Sequence, residues 1–212
     1  RAGSGHLGSS FSSMDIVTWI YLNILKDSDK YFSSKGHDAP GLYAVQTALK
    51  ILPFEKIHLL RRLNGLSGHP DVNNPGSFTN TGSLGMGVSK AKGFIYSDNF
   101  FNKNDSEIFV LTGDGELQEG HFWESLVSLG NNPTNRITVI VDHNKIQSDT
   151  YVEKVSDLGD LEAKFKAFGW DSIKIDGHNF DAIDSALAYR KENKKPLAII
   201  ADTIKGKGVS FM

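Results

Sequence analysis

The chain has 212 residues, 39% of them hydrophobic and 23% charged, and a formal net charge of -2. That length fits one large domain spanning 1–212, able to bury roughly 70% of its unfolded surface. The near-neutral charge gives no reason to expect nucleic acid or an anionic membrane as a partner. The absence of cysteine excludes disulfides, cysteine nucleophiles and thiolate metal sites, and suits a cytoplasmic setting. No run approaches eighteen apolar residues, so no span of a membrane is expected. No signal peptide is visible, but the sequence begins at Arg1, which leaves a preceding targeting segment open.

In chain order, Asp15 to Leu25 is apolar over a broad face and predicts a buried helix. Gly41 to Leu52 and Phe54 to Leu63 predict two more, separated by Pro53. Residues 64–82, rich in Gly, Asn and Pro, form a loop, and a helix is expected from about Leu84 to Phe100. Ile108-Phe-Val-Leu-Thr112 is a short apolar run stopped by Gly113. Leu117 to Leu129 is helical in pattern, and Ile137-Thr-Val-Ile-Val141 is a second β-rich run. Glu162–Phe168, Ser172–Ile175, Phe180–Glu192 and Leu197–Thr203 continue the alternation. Continuous apolar strands with helices between them predict a doubly wound α/β fold, a mainly parallel sheet covered on both faces.

The unit 108–112, 117–129, 137–141 reads as a βαβ crossover. Asp114 follows its first strand and Asn144 its second, so both emerge at the carboxyl edge, where open α/β sheets bind ligands. Magnesium takes hard oxygen ligands in octahedral geometry, often with phosphate oxygens among them. Asp114 offers a carboxylate and Asn144 an amide oxygen. Gly113 and Gly115 let the backbone turn and approach a phosphate closely, and the following helix start adds orphan N–H groups and a positive dipole end. Asp between two glycines also occurs in plain turns, and Asn144 by itself serves equally as a loop cap. The two together, at matching strand ends, point to a magnesium–diphosphate clamp.

Gly113-Asp-Gly-Glu-Leu-Gln-Glu-Gly120 followed by Asp142-His-Asn-Lys-Ile146 resembles the thiamine-diphosphate motif in its transketolase form. The resemblance extends through Ser4-Gly-His6, Lys35-Gly-His37, Ser67-Gly-His69-Pro and Thr81-Gly-Ser-Leu-Gly-Met-Gly87, in family order and over nearly the whole chain. It implies magnesium (or calcium or manganese in its place) on Asp114, Asn144 and the backbone carbonyl of Ile146. It implies cofactor contacts from His37, Gly82, Ser83, Leu84, Gly113, Gly115, Asp142 and Asn144, with Leu84 keeping the reactive ring dry. His6 and His69 would face the substrate channel, where an imidazole can donate to a sugar hydroxyl or phosphate or relay a proton. Each histidine taken singly is as well explained by packing or a surface position. Glu119 and Glu124, five apart on a helix, do not form an acid–base pair; the resemblance places them in a subunit-interface network around the cofactor, while a solvated helix start is the plain alternative.

In that family the pyrimidine ring of the cofactor is held by a following domain, with a glutamate that activates it. No such domain occurs in this sequence, so the resemblance is to an N-terminal domain, or to the N-terminal subunit of a split transketolase. The implied partner is a C-terminal subunit carrying the pyrimidine domain, in a heterotetramer or dimer of dimers. The implied reaction moves a two-carbon ketol unit from a ketose or ketose phosphate to an aldose. Lys205 and Lys207 read as a flexible, solvated exit and are left out of the site. A 1-deoxyxylulose-5-phosphate-synthase-like or dehydrogenase-type thiamine enzyme is the enzymatic alternative, and a non-catalytic scaffold subunit is the alternative of another class. A dinucleotide-binding protein is not supported, since no Gly-x-Gly-x-x-Gly joins an opening strand to a helix.

Overall fold

The computed structural model describes residues 2, 3, 5–103 and 106–212; Ser4 of the first glycine–histidine block lies outside them. Helices α1 (Leu7–Ser12) and α2 (Met14–Trp19) lead into a π-type turn at Ile20–Ile24, so the first predicted helix is broken into pieces. Strand β1 (Lys30–Ser33) follows, then α3 (Ala39–Ala48), α4 (Phe54–Ile57) and α5 (Gly87–Phe100). Next come β2 (Ile108–Gly113), a 3-10 turn at Gly115–Gln118, α6 (Gly120–Asn131) and β3 (Ile137–His143). A two-residue hairpin, β4 (Ile146–Gln147) and β5 (Thr150–Tyr151), precedes α7 (Val152–Val155) and α8 (Leu161–Ala167). Strand β6 (Asp171–Asp176), α9 (Phe180–Glu192) and β7 (Leu197–Asp202) complete the order.

The main sheet is parallel in the order β1-β2-β3-β7-β6, the predicted α/β architecture. Residues alternate across it because successive strand side chains point to opposite faces. Val110, Val139 and Ala198 pack one way with α5, α6 and α8; Phe109, Leu111, Ile140 and Ile199 pack the other way with α2, α3 and α9. Phe109, Val110 and Leu111 are 0% exposed, and such side chains each contribute roughly 1.5–3 kcal/mol of hydrophobic stabilisation. The continuous apolar runs are thus the signature of a sheet with no wet face.

Two predicted helices are shorter than expected, for backbone reasons. The one expected from Leu84 begins at Gly87, because Gly82 and Gly85 sit at φ 92° and 78°, outside the helical region. The one expected over 54–63 stops at Ile57, and Arg61 and Asn64 take left-handed conformations at φ 58° and 59°. There the chain doubles back, with N–H groups of Arg61 and Leu66 donating to carbonyls of Leu66 and Leu59. Among the described residues no helix is long and apolar enough to cross a membrane.

Candidate cofactor site at the carboxyl edge of the sheet

The register sets this edge level. Gly113 pairs with Asp142, Asp142 with Ala201 and His143 with Asp202, so the loops after β1, β2, β3 and β7 open on the same side. Between them lies a pocket of about 230 Å³ lined by His6, His37 and Leu84 from the first half of the chain. Gly113, Asp114, Gly115, Asn144 and Ile146 line it from the second half. Eight of the residues singled out in the sequence are therefore brought together in one cavity.

Asp114 is 3% exposed. Its carboxylate accepts the N–H of Gly115 at 2.8 Å and the N–H of Lys145, which ties the loop after β2 to the loop after β3. Burial pushes its carboxyl above the usual range, against the pull of those two N–H donors. The Asn144 side-chain oxygen accepts from the N–H of Ile146 at 3.1 Å, while its amide donates to Asp142 at 3.2 Å. Lys145, between the two, holds φ 67°, an uncommon conformation for a residue with a side chain. That kink turns Asn144 and Ile146 toward the same cavity. A Cβ on Gly115 would come within 2.9 Å of Gln147, so only glycine lets the two loops approach this closely.

The donor set is one carboxylate, one amide oxygen and one backbone carbonyl, with glycine backbone beside it. These are hard oxygen donors, a composition that fits a magnesium–diphosphate group. Among the described residues no group of three or more His, Asp or Glu is placed to hold a metal.

Asp142 departs from expectation. The resemblance implies that it contacts the cofactor, yet it is 0% exposed and does not line the pocket. Its carboxylate is already committed to the Lys35 ammonium at 2.7 Å, the Ser12 hydroxyl at 2.6 Å, the Thr203 hydroxyl and the Asn144 amide. It is a hub beneath the site that orients Asn144 from behind. Burial pushes its carboxyl up, but Lys35 and the hydroxyl donors outweigh this and hold it below the usual range.

His69, Gly82 and Ser83 also lie outside the cavity wall. The His69 ring packs against Gly82, where a Cβ would come within 2.6 Å of it. His6 and His37 lie with their rings 4.9 Å apart. Glu119 and Glu124 do not line the pocket either: both sit on exposed surface at the start of α6. The Glu124 carboxylate is 3.8 Å from His121, whose other ring nitrogen meets the Ser89 hydroxyl on α5 at 2.8 Å.

Three charged residues not assigned to the site belong to its wall, Lys35, Glu116 and Lys205, together with Ser9, Gln147 and Ser148. Lys205 donates to the Ser148 carbonyl at 2.7 Å and closes the pocket from the β7 side. A Gly-flanked lysine just past a strand's carboxyl end was the available signal. Lys35 and Glu116 are 1% and 2% exposed, and nothing in a sequence distinguishes a buried charge from a solvated one.

Burial, reinforced by the Lys35 charge, lowers the His37 imidazole to about 4. Burial raises Glu116 to about 7, and Asp114 also moves up. The signs oppose. His37 stays neutral in the folded state while an unfolded imidazole takes a proton below about 6.5, so its contribution makes stability rise with pH between about 4 and 6.5. Glu116 holds its proton in the folded state up to about 7, so its contribution makes stability fall as pH rises from about 4.5 to 7. Urea unfolding across this range is expected to show that His37→Asn, which removes the rising contribution, falls more steeply with pH than wild type. Parallel profiles would contradict it.

Comparison with known proteins agrees with this geometry. Residues 1–211 match the family described as transketolase, thiamine diphosphate binding domain. The chain is 35% identical to the 6-deoxy-6-sulfo-D-fructose transketolase subunit of Clostridium sp. (strain MSTE9), over 100% of this chain and 81% of that one. It is 32% identical to an apulose-4-phosphate transketolase subunit of Phocaeicola vulgatus, over 100% of this chain and 79% of that one. Against the transketolase of Mus musculus it is 32% identical, covering 99% of this chain but 35% of that protein. Among solved structures, transketolase from Leishmania mexicana superposes with a TM-score of 0.90 at 26% identity, over 99% of this chain and 35% of that one. The chain thus spans about four-fifths of its subunit relatives and about one third of the longer ones.

Proposed function

This chain belongs to the transketolase thiamine diphosphate-binding domain family, and from that premise we propose that it is the diphosphate-binding part of a magnesium- and thiamine-diphosphate-dependent transketolase. The observation that carries the reading is the convergence of Asp114, Asn144, Ile146 and the two flanking glycines on one pocket with His6, His37 and Leu84. Asp114, Asn144 and the Ile146 carbonyl would hold the magnesium, and the N–H-rich turn after Gly113 would receive the diphosphate. Thiamine diphosphate, when bound, supplies the electron sink for breaking the carbon–carbon bond beside a ketose carbonyl.

The chain's own residues bind and orient. Leu84 excludes water from the reactive end. His37, kept neutral by its burial, can accept or donate one hydrogen bond without bringing a charge beside the cofactor. His6 faces the pocket as a donor to a sugar hydroxyl or to an anionic group on the substrate, with His69 one layer behind. Glu119 and Glu124, on an exposed face, are read as groups that a partner subunit covers.

The partner in this reading carries the pyrimidine-binding half, as the subunit naming of two relatives supports. Those relatives are named for a sulfonated and a phosphorylated sugar, which favours an anionic ketose donor and an aldose acceptor here. Mixing the chain with its partner subunit, cofactor and magnesium is expected to give two-carbon transfer from a ketose to an aldose. Absence of turnover with every ketose donor despite bound cofactor, or consumption of pyruvate with release of carbon dioxide, would overturn it.

A further inference from the structure

Glu116 lies two residues beyond Asp114, in the 3-10 turn, and its carboxylate meets only hydrogen-bond donors that carry no charge. One oxygen accepts the Ser34 hydroxyl and the Gly85 N–H, the latter at 2.8 Å; the other accepts the Gly113 N–H at 3.2 Å. The Ser34 oxygen in turn accepts the Gly87 N–H at 3.0 Å. These donors come from three separate segments. Ser34 opens the loop that carries His37, Gly85 follows Leu84, and Gly113 precedes Asp114. Each segment contributes to the wall of the pocket; Ser34 and Gly85 reach Glu116 from 82 and 31 residues away, while Gly113 lies three residues before it in the same loop.

A buried carboxylate without a directly bonded cation is costly unless its lone pairs are satisfied. Here the satisfaction comes from the segments that shape the site. We propose that Glu116 is a positioning residue, a latch that fixes the loops after β1, before α5 and after β2 in the mutual arrangement that receives the cofactor's diphosphate. The inference rests on the thiamine-diphosphate reading above and adds a determinant of cofactor affinity to it.

In its ionised form Glu116 offers acceptors on both oxygens, which a neutral side chain of the same shape does not. Glutamine has the same length and volume but presents one oxygen and one NH2. If the oxygen keeps Ser34 and Gly85, the NH2 faces the Gly113 N–H, donor against donor, and the turn between Gly113 and Glu116 is left with an unsatisfied N–H. If the amide turns over, Gly113 is kept and the Ser34 and Gly85 segment is lost. Either way at least one buried donor of the network loses its acceptor.

The test is calorimetric titration of thiamine diphosphate in saturating magnesium, on the protein in its natural assembly. Glu116→Gln is expected to raise the Kd about ten- to a hundredfold, the fold-change set by one unsatisfied buried donor, with the stoichiometry unchanged. Ser34→Ala, which keeps the carboxylate and its other two donors, is expected to raise Kd several-fold. The double variant is expected to be no weaker than Glu116→Gln alone, because both act on one network. A residue that only supported folding would lower the stoichiometry and leave the Kd of the folded fraction untouched; that result, or independent additive effects of the two substitutions, would overturn the latch. If Glu116→Gln fails to fold, an unchanged Kd in Ser34→Ala overturns it. Wild-type protein that binds no thiamine diphosphate in magnesium would instead remove the functional reading beneath it, whereas wild-type binding with unaltered variants removes the latch alone.

Discussion

Replacing Asp142 with alanine is expected to lower folding stability by about 3–5 kcal/mol, the usual result of leaving one member of a buried ion pair alone. The Lys35 ammonium is 1% exposed and would keep one carboxylate, Asp38 at 3.7 Å, beside the uncharged Ser9 carbonyl and hydroxyl at 3.4 and 3.2 Å. In the intact protein that ammonium stays charged: burial pulls it down, but Asp142 and Asp38 outweigh this and hold it above its ordinary value. The Ser12 and Thr203 hydroxyls would also lose their acceptor. A similar substitution at an exposed pair would cost at most about 1 kcal/mol, so the size of the effect separates the two situations. Urea unfolding at neutral pH measures it; a loss below about 1 kcal/mol would mean that the hub does not bear on the fold.

Replacing Asp114 with alanine is expected to have its large effect on binding rather than on folding. Its carboxylate is the one charged oxygen offered to a cation by the mixed donor set, and magnesium is bound through few protein groups, carboxylate foremost. Without it, cofactor affinity in magnesium is expected to fall at least about a hundredfold, approaching the value measured without metal. Asp114 itself lines the pocket, so water can take the place of its carboxylate beside the Gly115 and Lys145 N–H groups, and the change in stability is expected to be small by comparison. Asp142→Ala and Asp114→Ala are thus opposites: one acts from beneath through the fold, the other directly on the ligand.

The difference between these two aspartates was not legible in the sequence. Both follow an apolar strand and both stand in the resembling motif, so both were expected to touch the cofactor or its metal. What separates them is depth. Asp142 lies within the paired length of β3, in register with Gly113 and Ala201, and at a parallel sheet's centre such a side chain is enclosed. Asp114 is one residue past the end of β2, where the chain turns out over the edge.

Hydrophobic pattern served well for the sheet, because β2, β3 and β7 are buried on both faces and read as unbroken apolar runs. It failed for β1, whose Lys30-Tyr-Phe-Ser33 is short and half polar, and whose strand character comes from pairing with β2. It failed again over 58–63, where helical spacing of apolar residues coincides with a doubled-back chain. The convergence of Asp114 and Asn144 on one edge was legible because strand ends locate themselves, whereas Ile146 came from the resemblance alone. Glu116 was not, since its partners Ser34 and Gly85 are 82 and 31 residues away. Contacts of that range are created by the fold and leave no local period.

The claim on which the rest depends is that the Asp114–Asn144 edge holds a cofactor diphosphate through a divalent cation. Titration of thiamine diphosphate into the wild-type protein in its natural assembly, in magnesium and again in excess chelator, tests it most directly, with Asp114→Ala alongside. The prediction is saturable binding in magnesium that is lost with the chelator and equally lost in the variant. Binding of equal affinity with and without metal, or unaltered in Asp114→Ala, would contradict it.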